Sequence, residues 1–222
     1  MLSDKTPAAF LFDLNGTMID DMQYHIKAWH AILNNLGANL TMEQMKLECY
    51  GKNEELLERI FPNKFSVEEK AAMSLEKEKA YQKAFLPELM LIKGLHDFLK
   101  TASSNSILMA IGSAAIMYNI DFVLDGLNIR PFFTAIVSAD DVALSKPNAE
   151  TYLKCANQLN VTHDQCIVFE DSPKGVQSAA NAGMQCVVIT TMHTREEFSE
   201  FNNVICFVND YSDTQLNKLF TN

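Results

Sequence analysis

Residues 8–17 read A-A-F-L-F-D-L-N-G-T, five apolar residues running unbroken into an aspartate, with a glycine three places beyond it. A short run with no polar alternation suits a strand buried on both faces of a parallel sheet. Asp13 then stands at the carboxyl end of that strand, where open α/β sheets place their ligands. Gly16 permits a sharp turn behind the acid, and Thr17 offers a hydroxyl and an amide to an anion. The same residues also spell an ordinary buried strand closed by an Asx-Gly turn.

The rest of the chain divides into two patterns. Residues 22–36 carry apolar side chains at Met22, Ile26, Trp29, Ile32 and Leu33, a helical stripe that Gly37 ends. Thr41 with Gln44, and Ser66 with Glu69, spell capping boxes for two further helices, and 53–60 supplies another. No β-branched run interrupts 20–90, so this block reads as an all-helical bundle. From residue 93 the pattern alternates. Strands are expected at 107–111, 135–137, 166–169, 186–189 and 204–208, with helices at 94–102, 118–127, 149–159 and 174–182 between them. Alternation of this kind means a doubly wound parallel α/β sheet. Its first strand lies before the helical block, so the simplest organisation is a core built from 1–20 and 91–222, with 21–90 inserted after strand one.

Composition excludes some classes. The 222 residues are 48% hydrophobic, enough for a core with an insertion, and the net charge of −10 argues against nonspecific nucleic-acid binding, which needs clustered cations. No apolar run approaches a membrane span, and the first residues lack a secretory apolar segment. Five scattered cysteines without a C-x-x-C pair read as reduced thiols, hence a cytoplasmic protein. A monomer or weak dimer is expected.

Three later strand ends carry polar groups. I-G-S-A (111–114) closes one strand on Ser113, which can donate to an anion or cap a helix. In S-A-D-D-V-A-L-S-K-P, Pro147 biases Lys146 away from helical backbone and aims its side chain off the following helix. Taken by itself, Lys146 reads equally as a surface lysine before a proline-started helix. C-I-V-F-E-D-S-P-K-G ends a strand on Glu170 and Asp171, adjacent acids of the kind that hold Mg²⁺.

Taken together, Asp13, Ser113, Lys146 and Asp171 resemble, in order, the four motifs of the haloacid dehalogenase superfamily of phosphotransferases. The resemblance covers essentially the whole chain. It implies that Asp13 attacks phosphorus to form an aspartyl-phosphate, that Lys146 balances charge, and that Thr17, Ser113 and Ala114 contact the phosphoryl group. It also implies that Mg²⁺ is held by Asp13, the carbonyl of Asn15, Asp171 and, as a further ligand or supporting acid, Glu170. A helical cap between the first two motifs is the arrangement of the β-phosphoglucomutase-like branch. That likeness assigns His25 to a hinge position, Gly51 to a cap loop near the substrate, Lys77 to a cap lysine, and Asn119 to a phosphate contact. By spacing alone, His25 reads equally as an ordinary helix histidine one turn before Trp29, while Lys52 and Lys77 read as solvated helix or loop lysines rather than ligands.

The chain departs from the pattern at one position. The family's phosphatases and mutases carry a second acid where this chain has Asn15, and that acid protonates the leaving group and later activates water. An amide does neither, and such catalysis is typically worth roughly 10²–10⁴-fold. Four explanations stand: His25 or a cap acid such as Asp21 or Glu54 substitutes; the substrate has a good leaving group; the residue is a laboratory substitution; or Asn15-Gly16 deamidates. The expected function is a Mg²⁺-dependent phosphatase of small phosphorylated metabolites such as sugar phosphates. Alternatives are a β-phosphoglucomutase, disfavoured because Glu54 stands where the mutases place an arginine and only Lys52 is near, and a catalytically impaired phosphate-binding protein. Phosphonate-cleaving relatives, which use a cap lysine as a Schiff base, suggest Lys52, although its spacing from Gly51 is wrong.

Overall fold

The computed structural model describes residues 7–220, which fall into two compact units. One is built from the chain up to Asp20 and from Met90 onward; the other is Asp21–Leu89.

The first unit is a six-stranded parallel sheet of β1 (Ala9–Phe12), β2 (Leu108–Gly112), β3 (Ala135–Val137), β4 (Cys166–Glu170), β5 (Gln185–Ile189) and β6 (Val204–Val208), in the order β3-β2-β1-β4-β5-β6. Strands end within about a residue of where the apolar runs place them, the ordinary latitude of such boundaries. All of β1 and β4 is buried, as central strands covered on both faces must be.

The two faces of β1 pack differently because side chains alternate. Phe10 and Phe12 join Phe98 and Phe169, with Phe12 stacked on Phe169 at 4.7 Å and Phe10 on Phe98 at 5.4 Å. Ala9 and Leu11 face the other way, into an aliphatic cluster with Val137, Cys155, Val168, Val176 and Ala179. Helices α5 (Leu95–Ser104), α6 (Met117–Gly126), α7 (Glu150–Leu159) and α8 (Pro173–Asn181) make the connections. The order reverses between β1 and β4: β2 and β3 extend from one side of β1, β5 and β6 from the far side of β4. That reversal opens a crevice at the carboxyl ends of β1 and β4.

The second unit comprises α1 (Met22–Asn35), α2 (Met42–Glu48), α3 (Asn53–Ile60) and α4 (Val67–Phe85), with α4 packed on α1 and α3. Both capping boxes form. Thr41 accepts from the Gln44 amide at 3.2 Å while the Gln44 side chain accepts from the Thr41 amide at 2.8 Å. Ser66 and Glu69 repeat the pair at 3.2 and 2.8 Å. Gly37 ends α1 at a φ of 93°, and the following amide reaches back to the Leu33 carbonyl at 3.0 Å.

Candidate active site

The end of β1 delivers Asp13 beside the end of β4, because Phe12 pairs in register with Phe169 and the Asp13 amide donates to the Phe169 carbonyl at 3.0 Å. Glu170 is the last residue of β4, and Asp171 follows it. Oxygens of Asp13, Glu170 and Asp171 lie within 4.8 Å of one another, and all three residues are buried.

Lys146 enters the same cluster. Its ammonium donates to Asp13 Oδ1 at 2.6 Å, to Glu170 Oε1 at 2.6 Å and to Tyr152 Oη at 2.8 Å, so its three hydrogens meet three acceptors. The residue is only 7% exposed, which excludes the alternative of a surface lysine. Its bond to Pro147 is cis. Glu170 is engaged on both sides: Oε1 also accepts from Tyr152 at 2.7 Å, and Oε2 accepts from the Asp171 amide, the Ser172 amide and the Ser172 hydroxyl at 3.1–3.2 Å.

This arrangement separates the acids electrostatically. Burial pushes Asp13 up to about 7, with Glu170 adding to the rise and Lys146 opposing it. Burial also drives Asp171 well above the carboxylate range, aided by the charges of Glu170 and Asp13. In Glu170 burial acts the same way, but the Lys146 charge and the bonds from Lys146, Tyr152 and Ser172 outweigh it and hold this carboxyl low. The Lys146 ammonium is held above its ordinary range, since Asp13 and Glu170 overcome the effect of burial.

Two glycines make the packing possible. A Cβ on Gly16 would lie 2.2 Å from Asp171 Oδ2, and the residue has a φ of 74°. A Cβ on Gly175, in the first turn of α8, would lie 1.8 Å from Glu170 Cδ. Both sites therefore require glycine for a close approach to a carboxylate.

Among the other residues singled out from sequence, Thr17 joins the cluster: its hydroxyl donates to Asp171 Oδ1 at 3.4 Å. Asn15 follows Asp13 on the turn, bridged to Ile19. Ser113 is buried at the end of β2, the strand neighbouring β1, with its amide on the Val137 carbonyl at 3.0 Å. It does not cap α6, where Ile116 holds the cap position; its hydroxyl accepts instead from the Ala115 amide at 3.1 Å. Ala114 is half-buried on that turn, and Asn119 is buried in α6. The Ser113 hydroxyl thus bonds within its own turn, and the place of β2 beside β1 sets this residue at the carboxyl end of the sheet.

His25, Gly51, Lys52 and Lys77 belong to the helical unit. Gly51 sits between α2 and α3 at a φ of 75°, and Lys52 is half-buried ahead of α3. Lys77 is not a solvated lysine: it is 2% exposed, 2.6 Å from His25 Nδ1 and 2.9 Å from Glu78 Oε1. Since an ammonium has only donors, Nδ1 accepts and His25 Nε2 donates to Asp21 Oδ2 at 3.2 Å. Asp21 also accepts from Tyr81 Oη at 2.5 Å, and Glu78 from Asn53 at 2.6 Å.

Tyr152, Tyr211 and Thr191 were not legible as site residues. Tyr152 ties Lys146 to Glu170; the Tyr211 hydroxyl donates to the Thr17 carbonyl at 3.1 Å; the Thr191 hydroxyl donates to the Gly16 carbonyl at 2.6 Å. Tyr152 lies on the buried face of α7, where a tyrosine reads as core, while Thr191 and Tyr211 lie on turns beyond β5 and β6 that carry no motif.

Known proteins share this design. The sequence model of the haloacid dehalogenase-like hydrolases matches residues 10–189. An uncharacterized protein of Haemophilus influenzae is 31% identical over 205 residues, 85% of this chain and 92% of its own length. The fructose-1-phosphate phosphatase YqaB of Escherichia coli is 30% identical over 180 residues, 81% of this chain and 95% of its own. The crystal structure of β-phosphoglucomutase (pgmB) from Clostridium difficile matches with a TM-score of 0.83 at 27% identity, over 96% of this chain and 97% of that one.

Proposed function

The chain belongs to the haloacid dehalogenase-like hydrolase family, and we propose that it is a Mg²⁺-dependent phosphatase of small phosphorylated metabolites, sugar phosphates among them. The observation that carries this reading is the buried set of Asp13, Glu170 and Asp171 braced by one lysine. Three carboxylates face a single ammonium, and oxygen donors of this hardness suit Mg²⁺. Asp13, Asp171 and the Asn15 carbonyl would hold the ion, with Glu170 supporting them; bound there, it would neutralise phosphoryl oxygens and fix their orientation.

The chain's own groups do the rest. Asp13 attacks phosphorus in line and takes the phosphoryl group onto its carboxylate, splitting one difficult transfer into two. Lys146 keeps Oδ1 of the nucleophile in place and supplies positive charge where negative charge gathers in the transition state. Ser113, Thr17 and nearby amides orient the phosphoryl oxygens, with Ala114 and Asn119 beside them. In the helical unit, Gly51, Lys52, Lys77 and His25 are the residues we assign to substrate selection. The name of the Escherichia coli relative supports a sugar phosphate as substrate. The likeness to a phosphoglucomutase admits a mutase, but Glu54 and Lys52 make a poor second phosphate site. The five free thiols suit a reducing compartment such as the cytoplasm, and no helix among the described residues is long and apolar enough to cross a membrane.

The test is phosphate release from a panel of phosphate esters and acyl phosphates with Mg²⁺, for the native chain and Asp13→Asn. Release by the first and not the second is expected. Equal release by both removes the assigned nucleophile.

A further inference from the structure

Building on the phosphatase reading, we infer that Asn15 makes the transfer step of this enzyme depend steeply on its leaving group: phosphates whose leaving group departs as a stable anion, acyl phosphates foremost, react fast, and alkyl esters, the sugar phosphates included, react slowly.

The argument begins with what residue 15 cannot do. A carboxamide neither donates a proton to a departing oxygen nor takes one from water at neutral pH. Nor does the structure favour conversion of the amide to an acid. Deamidation requires the Gly16 nitrogen to swing onto Asn15 Cγ. Here the turn is held on three sides: Asn15 is bridged to Ile19, the Gly16 carbonyl accepts from Thr191 at 2.6 Å, and the Asp171 carboxylate occupies the space against Gly16. The amide therefore persists.

The acids placed to replace it, Glu54 apart, are engaged. Within the core unit, Glu170 has both oxygens on Lys146, Tyr152 and the β4–α8 turn, and Asp171 belongs to the cation-holding set. In the helical unit, His25 has one nitrogen facing Lys77 and the other on Asp21, while Asp21 also serves Tyr81. Glu54 is exposed on the first turn of α3. Without a placed acid, the leaving oxygen departs unprotonated, as the anion.

The bond changes balance without a proton from the protein. An oxygen of Asp13 bonds to phosphorus as the bond from phosphorus to the leaving oxygen breaks, and the electron pair departs on a carboxylate, which needs no protonation at pH 7. In the second step water attacks phosphorus, the bond to Asp13 breaks with its pair returning to the carboxylate, and the water proton passes to solvent or the phosphate. The phosphoenzyme is itself an acyl phosphate, so transfer from another acyl phosphate exchanges one carboxylate leaving group for an equivalent one. An alkyl ester would have to expel an alkoxide.

Single-turnover release of the leaving group from acetyl phosphate, from aryl phosphates of graded phenol acidity and from an alkyl phosphate such as glucose 6-phosphate, with Mg²⁺ and enzyme in excess, tests this transfer step in the native chain and Asn15→Asp. The native enzyme should lose rate steeply as the leaving group becomes less acidic. Asn15→Asp should gain roughly 10²–10⁴-fold on the alkyl ester and less than about tenfold on acetyl phosphate. The aryl series on the native chain stands even where Asn15→Asp folds poorly. A flat series, or an alkyl rate equal in the two proteins, overturns the inference and leaves the phosphatase reading intact. Absence of turnover on every compound by both folded proteins overturns that reading and the inference with it.

Discussion

Each of the two units buries a lysine among acids, and the difference between them shows which cluster needs a cation. In the core, Lys146 stands against Asp13 and Glu170 with Asp171 close by, so negative charge exceeds positive. In the helical unit, Lys77 faces Glu78 and His25, and the remaining acid, Asp21, accepts from Tyr81 and His25. The Glu78 carboxyl is held low: burial opposes this, but the charge of Lys77 and the bonds from Asn53 and Lys77 prevail. In the core, by contrast, two of the three acids are pushed up. The first cluster suits a divalent ion; the second is satisfied by its own donors.

The largest expected effect separates chemistry from architecture. Asp13→Asn should lower turnover by roughly 10⁴–10⁶-fold, the scale on which covalent nucleophiles are lost. Asp21→Asn removes an acid with no assigned bond to the reacting group, and should appear chiefly as about 1–3 kcal/mol of lost stability. Parallel kinetics and urea unfolding on the two variants decide this; a collapse of turnover in Asp21→Asn at unchanged stability would break the division drawn here.

Next in size are the two lysines. Removing either partner of a buried ion pair leaves charge uncompensated, typically at about 3–5 kcal/mol. Lys146→Met and Lys77→Met should both show losses of that order in urea. They should part company on adding Mg²⁺, which restores stability to Lys146→Met far more than to Lys77→Met. Equal recovery would mean that the helical cluster also takes a cation.

The same contrast explains how much was legible in the sequence. The fold was readable because β1, β4 and the helices carry uninterrupted or periodic apolar patterns that follow from burial on two faces or one. The core acids were readable because each closes or directly follows such a run, so a one-dimensional position implies a place at the sheet's carboxyl edge; Lys146, nine residues beyond β3, was legible only through its place before Pro147 in the ordered set of motifs. Lys77 was misread as solvated because its neighbours are Glu76, Glu78 and Lys79, a charged stretch with the composition of an exposed helix face. Its burial depends on His25, 52 positions away, and on the Trp29 ring 5.5 Å off. Tyr152 was missed for the opposite reason: on an apolar face nothing in the sequence marks a hydroxyl that meets Lys146.

A smaller effect follows from the thiols. Burial pushes Cys155 up to about 12 and the helical unit's Cys49 up to about 11, against roughly 8.5 in an unfolded chain. A raised pKa means the folded state holds the proton longer. Stability from this source is complete below the unfolded value and falls as pH rises toward the folded one, by at most about 1.4 kcal/mol per pH unit for a thiol as buried as Cys155. Cys155→Ala should therefore weaken the decline of urea stability between pH 9 and 11. An unchanged slope would show that this thiol does not contribute to it.

The finest test compares two serine caps. Ser66 caps α4 in the helical unit, where its hydroxyl accepts from the Glu69 amide at 3.2 Å. Ser172 caps α8 by accepting from the Gly175 amide at 3.1 Å, and it also donates to Glu170 Oε2 at 3.1 Å. Both alanine variants should lose about 1 kcal/mol, the usual value of an N-cap. Only Ser172→Ala frees a constraint on Glu170, and through Glu170 on the lysine that positions Asp13. Its kcat should fall several-fold while that of Ser66→Ala stays within twofold, both measured on a substrate the native enzyme accepts. A shared fall in kcat at equal stability loss would mean that catalysis responds to the stability of either unit rather than to the aim of one carboxylate.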